Sequence, residues 1–207
     1  MIQLPQVQSV MSTVLDRCSN AVAHSDYRVV GTAASLLHGV HLPASDIDVL
    51  LRERAGVDAF AAALSQQECL TPPQLLDHGK HAKQYFAAFS VQGIRVEFST
   101  IEVDTECATY ECSGDGPWSH FSMVGCGCWD TPVVALELRL LTELARGRAD
   151  RYVPIWQFLQ SHGCDAALLR RGLKDRGITR AEHVDLTPLT GSDSGPSVAT
   201  HANLNTP

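Results

Sequence analysis

The sequence predicts a mixed α/β fold for this chain of 207 residues. Short runs in which apolar and polar residues alternate, typical of strands, lie between longer runs with helical spacing. A Gln92-Gly93 turn joins two of the predicted strands as a hairpin. With 44% hydrophobic and 19% charged residues, the composition is that of a globular protein that can bury a core.

The first half of the chain contains most of the predicted strands. We expect strands at 27–30, 46–52, 81–91 and 94–99, and helices at 6–24, 32–38 and 57–70. Thr32 is a candidate N-cap for the second helix. Pro72-Pro73 is expected to end the third helix, because proline removes a helical hydrogen bond and clashes with the preceding turn.

The second half is predicted to be mainly helical after one further strand. We expect a loop at 104–118, a strand at 120–129, a helix opening at Pro132, and further helices at 151–162 and 165–177. From Pro188 the chain is a mixture of small and polar residues, which predicts disorder. The expected organisation is a core over 1–130, a helical segment over 131–186 and a disordered tail over 187–207.

Charge and composition argue against several classes of function. The formal net charge of −7 disfavours general nucleic-acid binding, which requires a basic surface. No stretch approaches the roughly 20 apolar residues of a membrane span, so no membrane association is expected. The N-terminus lacks the basic and then apolar layout of a secretory signal. A cytoplasmic location is therefore expected.

The seven cysteines suit a reducing compartment better than a disulfide framework. Four of them cluster around His120, namely Cys107, Cys112, Cys126 and Cys128. Their C-x4-C and C-x-C spacings differ from the paired C-x2-C spacing of most zinc sites. Ordinary buried thiols are the favoured interpretation, and a structural zinc site is the alternative.

Asp46 and Asp48 are the first candidates for chemistry. Two carboxylates at i and i+2 on a strand project side by side and repel each other, and a divalent cation relieves that repulsion. Aspartate is disfavoured in strands, yet Ile47 and Val49 indicate a half-buried one. A metal site is therefore favoured over a solvated strand face.

Two further elements accompany this pair. Gly31-Thr32 follows a predicted strand and opens a predicted helix, an arrangement that suits phosphate binding through backbone amides and the threonine hydroxyl. Glu97 lies on a later strand, opposite the apolar side chains. If that strand lies beside the strand of Asp46 and Asp48, Glu97 completes a three-carboxylate site of the kind that holds magnesium in phosphoryl transfer.

Three segments resemble, in their order, the nucleotidyltransferase superfamily of the DNA polymerase β type. They are Val30-Gly31-Thr32, then, after a spacer of thirteen residues, Asp46-Ile47-Asp48-Val49, and finally Val96-Glu97-Phe98. The run from Gly31 to Leu50 is similar to small bacterial members of antibiotic-modifying or antitoxin type. Two departures are Thr32, where glycine or serine is usual, and Ala149, where a lysine often precedes the residue equivalent to Asp150.

The resemblance implies a small mixed β-sheet nucleotidyltransferase core flanked by helices, with a C-terminal helical segment. It implies that Asp46, Asp48 and Glu97 bind Mg²⁺ or Mn²⁺, and that Glu97 helps to deprotonate an acceptor hydroxyl. Gly31 and Thr32 would contact the nucleotide, which is an NTP, with ATP as the expected one. The implied reaction transfers a nucleoside monophosphate to a small molecule or a protein and releases diphosphate.

The alternative function is an antitoxin-type protein that keeps the fold and binds a partner with little or no turnover. Other polar and aromatic residues are interpreted as structural. His38, His41, Lys80 and Lys83 are expected on loops and a strand edge, Arg139, Arg146 and Arg148 on an exposed helix face, and Trp118, Trp129 and Trp156 in packing.

Overall fold

A computed structural model describes residues 1–18, 22–24, 26–77, 83–102, 109–179, 181 and 184–190. Within these ranges, seven strands form one sheet. The strands are β1 (Tyr27–Val30), β2 (Asp46–Leu51), β3 (Glu68–Asp77), β4 (Lys83–Val91), β5 (Ile94–Ser99), β6 (Phe121–Cys126) and β7 (Trp129–Val134). Their order is β3-β4-β5-β2-β1-β7-β6. The pairs β2–β5 and β1–β7 are parallel and the others antiparallel, so the sheet is mixed.

The helices flank this sheet, as the predicted fold class requires. In the described ranges they are α1 (Leu4–Cys18), α2 (Gly31–Leu37), α3 (Arg54–Ala63), α4 (Gly116–Ser119), α5 (Leu136–Ala145), α6 (Ala149–His162), α7 (Ala166–Asp175) and α8 (Thr187–Thr190), together with a 3-10 turn at Tyr110–Cys112. Helix α5 contacts α2, α6, α7 and the 3-10 turn. The helices predicted in the last third of the chain are thus confirmed.

One face of the central strands is apolar and packs against α3. Phe60 of α3 stacks on Phe98 of β5 with ring centroids 4.7 Å apart, and Tyr27 meets the Phe60 ring edge-on at 5.8 Å. Ile47 and Val49 of β2 are fully buried. Because side chains alternate along a strand, the residues between these apolar positions project from the opposite face. Asp46, Asp48 and Glu97 lie on that opposite face.

The helix predicted at 57–70 is shorter than expected, and Pro72-Pro73 does not end it. Helix α3 covers Arg54–Ala63, and the two prolines lie inside β3. Strand β3 is one of the two edges of the sheet, and its register with β4 shifts between Cys69 and Gln74. Proline has no N–H to donate, and it is tolerated at an edge or a bulge because a residue there need not donate a hydrogen bond to a neighbouring strand.

The strand predicted at 120–129 is two strands, and the helix predicted from Pro132 begins later. Strands β6 and β7 form a hairpin around Gly127, which has a φ of 65°. Pro132 lies in β7 opposite Met123, and α5 begins at Leu136. Val133 and Val134 are fully buried in the sheet. β-branched residues favour such a position, so burial beside β1 overrides the local helical signal.

The ends of the chain depart from prediction in smaller ways. Helix α1 covers Leu4–Cys18, and residues 22–24 are not helical. Most of the tail predicted to be disordered, 191–207, lies outside the described residues, whereas Thr187–Thr190 forms α8. Among the helices that the structure describes, none has both the length and the apolar character needed to cross a membrane.

Candidate active site

The parallel pairing of β2 with β5 brings the predicted carboxylates together. Asp48 lies directly opposite Glu97, and Asp46 lies opposite Arg95. Directly opposed residues on neighbouring strands project from the same face with their Cβ atoms about 5 Å apart. Asp46, Asp48 and Glu97 all line one cavity of about 590 Å³. The strand of Glu97 therefore lies beside the strand of Asp46 and Asp48, which is the condition that the three-carboxylate site required.

Gly31 lies where β1 ends, beside the same carboxylates. Val30, the last residue of β1, pairs with Asp48 across the antiparallel ladder. Gly31 has a φ of 68°, a left-handed conformation that glycine adopts without strain. An ideal Cβ on Gly31 would also overlap the Asp48 carboxylate, lying 2.9 Å from its Cγ. Glycine is thus required at this turn both by its backbone and by the space that Asp48 occupies.

The polar groups of the Gly31-Thr32 turn have protein partners. The Gly31 N–H donates to Oε2 of Glu111 at 3.3 Å. The Thr32 hydroxyl oxygen accepts from a terminal nitrogen of Arg151 at 3.1 Å. Thr32 is the second residue of α2, and Val30 occupies the N-cap without a side-chain bond, so the predicted Thr32 cap is wrong. The turn is held by Glu111 and Arg151, two residues that the sequence did not single out.

Asp48 lies in an environment that disfavours its negative charge. Burial is the largest cause that raises the pKa of Asp48 to about 7, and the neighbouring charges of Asp46, Glu97 and Glu111 act in the same direction. Arg139 opposes them. Among the described residues, no donor is hydrogen-bonded to the Asp48 carboxylate. A proton or a cation is therefore needed to stabilise it.

The other two carboxylates each have a neighbouring donor. Oδ1 of Asp46 accepts from the Ser45 hydroxyl at 3.1 Å. Oε1 of Glu97 accepts from Nε of Arg95 at 2.5 Å. Within the described part of the chain, no three His, Cys, Asp or Glu side chains are gathered closely enough to hold a metal ion as they stand. The donor set is nevertheless all carboxylate oxygen, which is the chemistry that Mg²⁺ prefers.

A buried ion network lies behind the cavity. Arg139 of α5, expected on an exposed helix face, is instead only 1% exposed and ion-pairs with Glu111 and, at 2.6 Å, with Glu143. The i,i+4 spacing of Arg139 and Glu143 is visible in the sequence. Glu111 carried no such signal, since it comes from an aperiodic segment. This network connects α5 to the Gly31 turn through the Glu111 carboxylate.

The remaining arginines and the other polar residues divide between the cavity and the scaffold. Arg146, Arg148 and Arg151 line the cavity. His38 lies in the turn that follows α2 and is partly buried, and its Nε2–H donates to the Val134 carbonyl at 2.8 Å. His41 is exposed, Lys83 pairs with Asp77 at 3.6 Å, and Lys80 lies outside the described residues.

The three tryptophans are structural, as predicted. Trp118 lies under the guanidinium groups of Arg28 and Arg52, at 5.1 and 4.2 Å from the ring centroid. The indole N–H groups of Trp129 and Trp156 donate to Asp16 and to the backbone carbonyl of Asp185.

The cysteine cluster does not form a metal site in the part of the chain that the structure describes. Cys126 is buried, Cys112 partly buried and Cys128 exposed. Cys107 lies outside the described residues. Burial raises the pKa of the Cys126 thiol, which keeps it protonated. The buried-thiol interpretation therefore fits Cys126, whereas Cys112 is only partly buried and Cys128 is exposed.

Comparison with known proteins gives a match at the level of structure. No protein-family model matches the sequence, and no curated protein matches it either. The crystal structure of TM1012, a candidate nucleotidyltransferase from Thermotoga maritima, aligns over 78% of this chain and 97% of its own, with a TM-score of 0.57 and 21% identity. The chain has a nucleotidyltransferase-like fold.

Two Helicobacter pylori structures also align with this nucleotidyltransferase-like fold. JHP933 matches over 83% of this chain and 73% of its own, with 13% identity and a TM-score of 0.48. A candidate nucleotidyltransferase matches over 82% of this chain and 74% of its own, with 13% identity and a TM-score of 0.47. The resemblance drawn from Gly31, Asp46, Asp48 and Glu97 is confirmed as a resemblance of fold by the match to TM1012.

Proposed function

We propose that this chain is a nucleotidyltransferase that transfers a nucleoside monophosphate from an NTP, first of all ATP, to a hydroxyl group of a small molecule or a protein. The observation that carries the proposal is the register of β2 and β5, which places Glu97 directly beside Asp48, with Asp46 two residues earlier on the same face. All three line the cavity next to the Gly31 turn. A protein that only binds a partner has no need to hold these like charges together.

Asp46, Asp48 and Glu97 would hold Mg²⁺ or Mn²⁺, and the metal would supply positive charge to the reacting phosphate. In the reaction, an acceptor oxygen forms a bond to the α-phosphorus. The bond from that phosphorus to the oxygen that bridges to the β-phosphate breaks, and diphosphate leaves. The acceptor proton passes to the Glu97 carboxylate. Arg95, at 2.5 Å from Oε1 of Glu97, positions that carboxylate.

Transfer of radioactivity from α-labelled NTPs tests this proposal. Purified protein is incubated with Mg²⁺, each labelled NTP and acceptors that include aminoglycosides, a lincosamide and a protein lysate. We expect label on one acceptor class. Asp48→Asn and Glu97→Gln should each lower the rate by about a hundredfold or more, as expected when a metal ligand or general base is removed.

Matched surface variants show whether the loss of rate is specific to the cavity carboxylates or follows from removing any acidic side chain. Asp130→Asn and Glu68→Gln change exposed acids outside the cavity, and both should keep the wild-type rate. Failure to label any acceptor, together with no Mg²⁺-dependent NTP binding, would contradict the proposal.

A further inference from the structure

The charged groups that line the cavity form two sets, and the set that contains the arginines also includes the buried carboxylates Glu111 and Glu143. The carboxylates nearest the sheet come from strands, whereas the cations come from the helical segment after β7. The arginines that line the cavity are Arg139, Arg146, Arg148 and Arg151. Apart from Glu97, the lining residues on the side of β4 and β5 are uncharged, namely Gln84, Ser99 and Ile101. The cavity therefore has a cationic end and a neutral end.

The strand order arranges these groups in a row. Strands β4, β5, β2 and β1 are successive neighbours in the sheet. Gln84 belongs to β4, Glu97 to β5 and Asp48 to β2, and Gly31 directly follows β1. Arg151 then reaches Thr32, beyond Gly31, at 3.1 Å. From the neutral end to the cationic end, the carboxylates lie in the middle.

Arg148 has N–H groups available for a ligand. Its Nε lies 3.8 Å from Oε2 of Glu143, and one terminal nitrogen lies 4.0 Å from Asp150. Both distances are too long for hydrogen bonds. Within the described residues the guanidinium makes no side-chain hydrogen bond, and the side chain is 44% exposed. A guanidinium offers five donors in a planar fork that matches phosphate oxygens.

Glu143 attracts Arg146 and Arg148 without accepting a hydrogen bond from either. Glu143 is 2% exposed and accepts from Arg139 through Oε1 at 2.6 Å. Its Oε2 has no hydrogen-bond partner in the described structure. Arg146 and Arg148 lie 3.9 and 3.8 Å from this carboxylate, so charge attracts both arginines to the cavity wall.

We propose that Arg148, with Arg146 and Arg151, forms the subsite for the β- and γ-phosphates of the NTP, the part that leaves as diphosphate. This assignment rests on the proposed function. The attacking and leaving oxygens lie roughly in line in phosphoryl transfer. With the leaving group at the arginines, the acceptor hydroxyl enters from the neutral end, over Gln84 and Ser99, where Glu97 also lies.

Calorimetric titration with inorganic pyrophosphate, α,β-methylene-ATP and AMP, each with Mg²⁺, tests the subsite without turnover. Arg148→Ala should weaken binding of the first two by roughly ten- to a hundredfold, the usual effect of losing charge-assisted hydrogen bonds. AMP binding should not change. Arg148→Lys keeps the charge without the planar fork, so its affinity should be intermediate. Arg17→Ala, on the exposed side of α1, and Gln84→Ala should keep wild-type affinity for pyrophosphate.

Four results would contradict the assignment of this subsite. Equal affinities of Arg148→Ala and wild type for pyrophosphate, an equal loss of AMP binding, or a loss in Gln84→Ala would overturn it. So would a wild-type protein that binds neither pyrophosphate nor the ATP analogue. The proposed function is tested separately by the transfer of α-label. If label is transferred but Arg148→Ala binds pyrophosphate as wild type does, only the subsite assignment is wrong. If pyrophosphate binding depends on Arg148 but no label is transferred, only the proposed reaction is wrong.

Discussion

The carboxylate of Asp48 occupies the space that a side chain on Gly31 would need. An ideal Cβ at residue 31 lies 2.9 Å from Cγ of Asp48, and Gly31 has a φ of 68°. Residue 31 is held in place by the antiparallel ladder that pairs Val30 with Asp48. The turn and the carboxylate are therefore one unit, and a change in either displaces the other.

Gly31→Ala should lower both stability and Mg²⁺-dependent nucleotide binding. A left-handed backbone conformation costs a non-glycine residue about 1–2 kcal/mol, and the overlap with Asp48 adds to that cost. Gly93→Ala is the matched control, because Gly93 has a φ of 76° and an ideal Cβ placed on it would meet nothing within 4 Å. Urea unfolding measures the free energy of unfolding of both variants, and the difference between their losses is the cost of the overlap with Asp48. Equal losses would show that Asp48 does not fill the space.

Asp48→Asn should stabilise the metal-free protein at alkaline pH while abolishing its proposed activity. The folded pKa of about 7 lies above the ordinary value of 3.8, so between these values the folded state binds a proton that the unfolded state does not. Stability from this group is therefore present at low pH and is lost as pH rises through about 7. At about pH 8 the free energy of unfolding of Asp48→Asn should exceed that of wild type by at most about 4 kcal/mol.

Thermal unfolding of Asp48→Asn and wild type across pH, with a chelator present, measures this effect. The difference in melting temperature should shrink toward about pH 5. A variant that is less stable than wild type at alkaline pH would contradict the electrostatic assignment.

His38 should make the protein sensitive to acid. Burial lowers the pKa of His38 below its ordinary 6.5, while its Nε2–H donates to the Val134 carbonyl. In the window just below 6.5 the unfolded state binds a proton and the folded state does not, so stability is present above 6.5 and is lost as pH falls. His38→Gln has no such titration. Urea midpoints of the two proteins should converge as pH falls, and parallel curves would refute the role of His38.

Arg139→Met should be strongly destabilising. It leaves Glu111 and Glu143 buried without the guanidinium that both contact. Removing one partner of a buried ion pair costs about 3–5 kcal/mol. Arg17→Met, at an exposed position of α1, should change stability by less than about 0.5 kcal/mol. Denaturant unfolding compares the two, and similar small losses would show that the buried carboxylates do not depend on Arg139.

The sequence predicted the three carboxylates but not their arrangement. Alternation along single strands placed Asp46 with Asp48, and Glu97 apart from its apolar neighbours. The pairing of Asp48 with Glu97 depends on a parallel contact between strands separated by α3, β3 and β4, and local periodicity does not report such contacts. The same limit explains Pro72-Pro73: an edge strand tolerates proline, and only the sheet order shows which strands lie at an edge.

The residues behind the carboxylates were missed for related reasons. Glu111 lies in an aperiodic segment, and its burial becomes visible only when α5 packs against that segment. Arg139 looked like an exposed helix residue, because arginine usually is one. Arg151 reaches Thr32 across a tertiary contact that no motif encodes. Motif residues thus followed from sequence, whereas the groups that hold them in place required the fold.

A paired-label reaction tests most directly whether Asp46, Asp48 and Glu97 form a nucleotidyl-transfer site. The protein is given Mg²⁺, an acceptor and either α-labelled or γ-labelled NTP under identical conditions. We predict that the acceptor gains the α-label alone, that the γ-label appears in diphosphate, and that Asp48→Asn abolishes both. Transfer of the γ-label to the acceptor, or α-label transfer that is unchanged in Asp48→Asn, would contradict this assignment.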